Sequence, residues 1–219
     1  MTKTYDTTGC VFTERGSLMQ VGDGRVFYPL DPRPEEVYIK DIARSLSRII
    51  RFNGHSDRPV TVAQHSVQCA LIAKRLGHHR HMQRFMLLHD AAEAYIGDMV
   101  RPLKVDMPAF RAAEDNITKV IQTALSIVPV DERTVRYIDN VACAWEKRDM
   151  FKSAMPWEGM PDIEDLHLGP MKPWGDRVSE VIFLEAYKGL TTDDLPVFDT
   201  TEFGRRMAEE EPDVPDLRQ

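Results

Sequence analysis

TVAQHSVQCALIAKRLG (residues 61–77) and RHMQRFMLLHDAAEAYIG (residues 80–97) decide the fold. In the first, Thr61 and Gln64 stand three apart at the head of an apolar run. That is the spacing of a capping box, in which the hydroxyl takes the backbone N–H three residues on. The run reaches Gly77 without a proline, and glycine suits a helix end. In the second, Phe85, Leu88, His89, Ala92 and Ile96 recur every three or four residues, so one face is apolar from Arg80 to the stop at Gly97.

Working outward, the helical pattern persists. A helix is predicted from Pro108, a favoured first residue, with Phe110, Ala113, Ile117, Val120, Ile121, Ala124 and Leu125 on its apolar side. Another starts near Asp131 and runs to about Ser153, and a last one covers roughly Asp176–Gly189. Between these two, Pro156, Pro161, Pro170 and Pro173 predict a long loop. Upstream, Asp41 reads as an N-cap ahead of Ile42, Leu46, Ile49 and Ile50, with Gly54 past the end. Residues 9–31 read as extended chain around Gly22-Asp23-Gly24, a hairpin turn, before Asp31-Pro32-Arg33-Pro34 breaks the pattern. The expectation is a mainly α fold with a small N-terminal β-hairpin: an extension over 1–34, a helical domain over 35–190 and a tail over 191–219.

Composition limits the function. The 219 residues are 42% hydrophobic and 29% charged, as in ordinary soluble globular proteins. No stretch approaches the ~18 apolar residues of a membrane span, and the first residues carry no apolar leader. Cys10, Cys69 and Cys143 are far apart and form no CxxC, which fits free thiols in a reducing cytosol. A cytoplasmic protein without a membrane partner is expected. The net charge is −7, and the tail accounts for −6 of it through nine acids and three arginines. The body has no basic stripe, so duplex nucleic acid is not an expected partner.

The chemistry concentrates at His65, His89, Asp90 and Asp139. His89 shares its apolar stripe, and Asp139 lies with Val135, Ile138, Ala142 and Trp145. A carboxylate on a core-facing stripe is costly unless paired or bound to metal, whereas a single core histidine usually just makes a hydrogen bond. Two imidazoles and two carboxylates from three helices can form one divalent-metal site. Glu93 rises from the same helical face as His89 and Asp90, and Asp98 falls just past Gly97. These acids repel one another without a cation. HExxH and the P-loop motif are absent. His78, His79 and His81 read as a solvated turn, His55 as a neighbour of Arg51, and His167 as a loop residue without a partner.

The run HDAAEAYIGDMVRPLK, with VAQHSV before it, resembles the HD-domain metal-dependent phosphohydrolases over about residues 39–190. It is most similar to their nucleotidase branch, which holds bacterial deoxyribonucleoside 5′-monophosphatases and phage-type deoxynucleoside triphosphate triphosphohydrolases. The resemblance implies that His65, His89, Asp90 and Asp139 ligate a divalent metal (Co, Mn, Zn or Mg), with a second Mg²⁺ able to arrive on a triphosphate. It implies that Glu93 holds or deprotonates the attacking water, that Asp98 assists, and that Arg51 and Lys104 bind phosphate oxygens, with Arg48 and Arg58 as rivals to Arg51. Phe52 stands where this branch often has Trp; its ring either packs on the deoxyribose or simply fills the core. A triphosphohydrolase acting on dATP is the leading expectation, in the cytosol of a bacterium or phage-infected host. The alternatives are a 5′-monophosphatase and a catalytically idle nucleotide-binding domain. The resemblance and the many methionines also predict a homo-oligomer, dimer or hexamer.

Overall fold

The structure is a computed structural model that describes residues 4–5, 11–153 and 155–191. Cys10 and all but the first residue of the acidic tail lie outside the described residues. The chain is mainly α with a small N-terminal β element. Strands β1 (Thr4–Tyr5), β2 (Val11–Thr13) and β3 (Gly16–Ser17) form one antiparallel sheet, and β4 (Met19–Gln20) pairs with β5 (Val26–Phe27). The expected turn at Gly22–Gly24 joins the latter pair. A side chain on Gly22 has no room there, because its Cβ position lies 2.1 Å from Asp41 Oδ1.

Eight helices follow: α1 (Ile39–Leu46), α2 (Val62–Arg75), α3 (Arg80–Leu88), α4 (Glu93–Ile96), α5 (Arg101–Lys104), α6 (Pro108–Ala124), α7 (Glu132–Met150) and α8 (Asp176–Thr191). Helix α2 is the axis of the bundle, packed by α1, α3, α7 and α8. Eleven of its fourteen residues are buried, so it needs apolar partners on more than one side. Val62, Ala63, Val67 and Ala70 join one core with Ile42, Leu46, Leu87, Ile182 and Phe183. Cys69, Ile72 and Ala73 join a second with Met86, Ile138, Val141 and Ala142. Met82, Met86, Met150 and Met171 are all buried, so these methionines fill the interior and offer no contact surface. Among the described residues, no helix is long and apolar enough to cross a membrane.

Caps explain the helix starts. Thr61 Oγ1 accepts the Gln64 N–H at 3.1 Å and donates to Ser179 Oγ of α8 at 3.0 Å. Asp131 takes the Thr134 N–H at 2.8 Å at the head of α7. Thr61→Ala removes a cap and leaves Ser179 short of a buried partner. We expect it to cost about 1–2 kcal/mol of stability in denaturant titration; an unchanged midpoint would deny the cap its role.

Four expectations need correction. Asp41 is not an N-cap: α1 begins after Tyr38, and Asp41 lies buried in its first turn, 2.6 Å from Arg25 Nη2 of the hairpin. An acid there satisfies the helix dipole as well as a cap does, so composition does not separate the two positions. Helix α1 also ends at Leu46, short of Ile49 and Ile50, and Ile50 instead pairs with Thr61 in an isolated bridge. The helix expected over Arg80–Gly97 is interrupted at residues 89–92, where Ala91 and Glu93 bond back three residues, to Leu88 and Asp90. Helix α7 stops at Met150, three residues early, because Phe151 is extended.

The long loop after α7 is pinned by side chains. Gln64 accepts the Trp174 N–H at 2.9 Å and donates to the Lys172 carbonyl at 2.8 Å. Asp149 accepts the Met171 N–H at 2.7 Å.

Candidate metal centre

Three segments deliver the site. Helix α2 carries His65 and, one turn on, Cys69. The turn between α3 and α4 carries His89 and Asp90. Helix α7 carries Asp139 and, two turns on, Glu146. Gly97 then reverses the chain at φ +82°, a conformation that favours glycine, and brings Asp98 back beside the cluster.

Each imidazole has one nitrogen spoken for. His65 Nδ1–H donates to Glu146 Oε1 at 2.8 Å, and His89 Nδ1–H donates to the Met86 carbonyl at 2.7 Å. Such partners fix the tautomer and turn the Nε2 lone pair toward a metal position. His65 Nε2 lies 3.2 Å from Asp139 Oδ1, 3.5 Å from Asp90 Oδ2 and 3.4 Å from Cys69 Sγ. His89 Nε2 is buried without a hydrogen-bond partner, although Asp90 Oδ2 is 3.3 Å away; the two are not aligned as donor and acceptor. One ligand atom each from His65, Cys69, His89 and Asp139 lies within 4.8 Å of all the others. This buried group can hold a metal ion, and the His89 nitrogen without a hydrogen-bond partner fits a ligand to one.

The charges agree. Asp90, Glu93, Asp98, Asp139 and Glu146 surround the site, and Arg51 and Arg101 are the guanidiniums in contact with it. Arg51 is buried: its Nε donates to Glu146 Oε2 at 3.1 Å, and its Nη1 lies 3.8 Å from Asp90. Burial pushes Glu93 well above the usual carboxylate range, and the charges of Asp90 and Asp98 push it further. Asp98 is raised for the same reason, burial first. Burial also works to raise Asp139 and Glu146, but it loses. The hydrogen bond and charge of His65 hold Asp139 below its ordinary value, and Arg51 with His65 does the same for Glu146. His65 is held protonated well above its usual range against burial and Arg51, by Cys69, Glu146 and Asp139. That proton occupies the face a divalent ion can take. Burial pushes the Cys69 thiol up to about 11.

The sequence-derived residues are thus placed unequally. His65, His89, Asp90 and Asp139 come together. Glu93 is buried beside them with Oε2 unpartnered. Lys104 is half-buried and tied to Glu114 Oε1 at 2.5 Å, and burial is outweighed by that pairing in setting its raised pKa. Phe52, at φ +58°, is half-buried in an aromatic group with Phe151 and Trp157, ring centres 5.3 and 5.8 Å away, and the Arg51 guanidinium lies 5.3 Å from its ring centre. Arg48 is an outer-surface residue bonded to Glu180. His79 and His81 are exposed at the turn before and the start of α3.

No protein-family model matches the sequence. The chain is 34% identical over 164 residues to the uncharacterized protein YfdR of Escherichia coli K12, a match covering 72% of this chain and 88% of that protein. The chain belongs to the YfdR family. Protein RCAP_rcc00048 of Rhodobacter capsulatus is 30% identical to this YfdR-family chain over 132 residues, 56% of this chain and 67% of that protein.

Sequence reasoning missed Cys69, Glu146 and Arg101 in this member of the YfdR family. Cys69 follows His65 by four residues and Glu146 follows Asp139 by seven, so helical spacing alone puts Cys69 beside His65 and Glu146 on the face of Asp139 two turns on. Arg101 donates to Asp139 Oδ2 at 2.9 Å and to Asn140 Oδ1 at 3.2 Å. No local spacing signals that contact.

Proposed function

We propose that this YfdR-family chain is a metal-dependent HD-type phosphohydrolase that converts deoxynucleoside triphosphates, dATP among them, to deoxynucleoside and tripolyphosphate. The observation that carries the reading is the pair of histidines, each with Nδ1 held by an acceptor, His65 Nε2 facing Asp90 and Asp139 and His89 Nε2 facing Asp90. His65, His89, Asp90 and Asp139 are the residues that would hold the ion, with Cys69 at their edge. A divalent ion at such a site lowers the pKa of water and polarises a phosphoryl oxygen.

The chain's own residues supply the rest. Glu93 presents an unpartnered Oε2, and its raised affinity for protons suits it to take one from the attacking water. The water oxygen bonds to the α-phosphorus, the bond from phosphorus to the 5′-oxygen breaks, and the 5′-oxygen takes a proton. Asp98, also raised by burial and by the charge of Asp90, is the acid assigned to supply that proton. Arg51, with its Nε on Glu146 and its Nη1 3.8 Å from Asp90, is the buried cation that a phosphate entering beside Asp90 would meet. Phe52 and its aromatic neighbours Phe151 and Trp157 offer a face on which a deoxyribose can pack.

The test is to load the protein separately with Co²⁺, Mn²⁺, Zn²⁺ and Mg²⁺, supply dNTPs, rNTPs and dNMPs, and identify products by mass. Deoxyadenosine and tripolyphosphate from dATP are expected. Phosphate from dAMP with dATP intact makes the protein a 5′-monophosphatase, which uses the same residues. No turnover of any nucleotide makes it an idle binding domain.

A further inference from the structure

We propose that Arg101 is a specificity residue that binds the outer phosphates of a triphosphate, an inference that rests on the phosphohydrolase reading above. Its side chain is 60% exposed, yet it reaches inward to Asp139 Oδ2, a residue of the candidate metal group. Exposed ion pairs hold weakly, so a stronger anion can draw the guanidinium away. The charge on Asp139 also matters less to Arg101 once that carboxylate serves a metal. Arginine is suited to the displacement, because its fork matches two phosphate oxygens at once. Lys104, three residues on, shares the side of α5 toward the cluster: its charge acts on Glu93 and Asp98.

Helix α7 sets the scale. Arg101 touches Asp139 and Asn140, while the aromatic group meets the far end of the same helix at Phe151. Eleven helical steps separate Asp139 from Met150, the residue before Phe151, or about 16 Å along the axis at ~1.5 Å per residue. Glu146, with Arg51 on it, lies between. A nucleotide whose sugar and base meet Phe52, Phe151 and Trp157, with its α-phosphate near Arg51 and Asp90, directs its outer phosphates toward Arg101. A monophosphate in the same place has no outer phosphate to offer it.

The experiment compares wild type, Arg101→Ala and Arg101→Lys on dATP and dAMP, and measures Mn²⁺ affinity by calorimetry. For Arg101→Ala, KM for dATP is expected to rise on the order of 10–100-fold, with binding of dAMP as a competing ligand and Mn²⁺ affinity within about threefold of wild type. Arg101→Lys should recover part of the loss. Equal losses on both nucleotides, or a parallel fall in Mn²⁺ affinity, would show that Arg101 only props Asp139, and the proposal fails. Unchanged dATP kinetics in Arg101→Ala also overturns it. Wild type that turns over neither nucleotide, or dAMP alone, defeats the triphosphatase reading first, and the role of Arg101 with it.

Discussion

Glu93→Gln is expected to lower turnover by about 10²–10⁴-fold while leaving both the metal and the fold in place. The substitution keeps the shape of the side chain and removes its ability to take a proton. The carboxyl is buried, has one oxygen without a partner and faces Asp90 and Asp98, so no packing or ion pair is lost with the charge. Stability changes in the opposite direction from activity. A folded-state pKa raised above the unfolded value means that the stabilising contribution is complete below about pH 4 and is lost as pH rises through the folded value. At neutral pH the Gln variant should therefore melt at or above the wild-type temperature. Metal affinity by calorimetry, melting temperature and turnover together decide it. Near-wild-type turnover would remove Glu93 from the chemistry, and a lower melting temperature would mean that the carboxylate is structural.

Glu146→Ala should be the most damaging single substitution to the fold. Glu146 is fully buried and is the link between Arg51 and the His65 ring. Removing it leaves a buried guanidinium whose counter-charges are Asp90, 3.8 Å away, and the charge of Asp139. Breaking a buried pair in this way costs about 3–5 kcal/mol. For a chain of this size that amounts to roughly 6–20 °C in melting temperature. It also frees the His65 ring to rotate, and loss of a partner that orients a metal-binding histidine costs about 10–100-fold in metal affinity. The sign of the pH dependence follows from the lowered carboxyl. Its contribution is present above the unfolded value near pH 4 and disappears as pH falls through the still lower folded value. Wild type should lose stability in acid more steeply than Glu146→Gln. A loss under about 1 kcal/mol for the Ala variant would mean that Arg51 finds other partners or water.

What the sequence revealed, and what it hid, has a physical pattern. The starts of α2, α6 and α7 were legible because Thr61, Pro108 and Asp131 act within their own turn. The hairpin was legible through its glycines for the same reason. The break between α3 and α4 was not. Tight turns that bond back three residues keep side chains on nearly the same side as a continuous helix for one turn, so the apolar stripe ran through the break unchanged. His89 and Asp90 were therefore found as a pair but placed on the wrong kind of backbone. Arg51 and Glu146 were harder. They lie 95 residues apart; the resemblance marks Arg51 as a phosphate ligand, and nothing in the sequence ties it to Glu146. Only the fold makes them a buried pair. Arg101, beside a proline and exposed, offers no pattern at all; its reach to Asp139 is a matter of how α5 is set down against α7.

Helix α7 has a consequence for how this chain can change in length. Asp139, Glu146 and the Phe151 that ends the helix are spaced along one rod. Inserting or deleting one residue between the first two turns everything beyond it by about 100° and shifts it by about 1.5 Å. Glu146 then leaves His65, and Phe151 leaves Phe52. The segment that follows obeys another rule. Its far part is fastened at Met171, Lys172 and Trp174 by Asp149 and Gln64, while among the described residues of 152–168 only Ile163 is buried. Additions there can bulge into solvent and rejoin the same fastenings. The rod is closed to insertion, and the strap beside it is where the chain has freedom to grow.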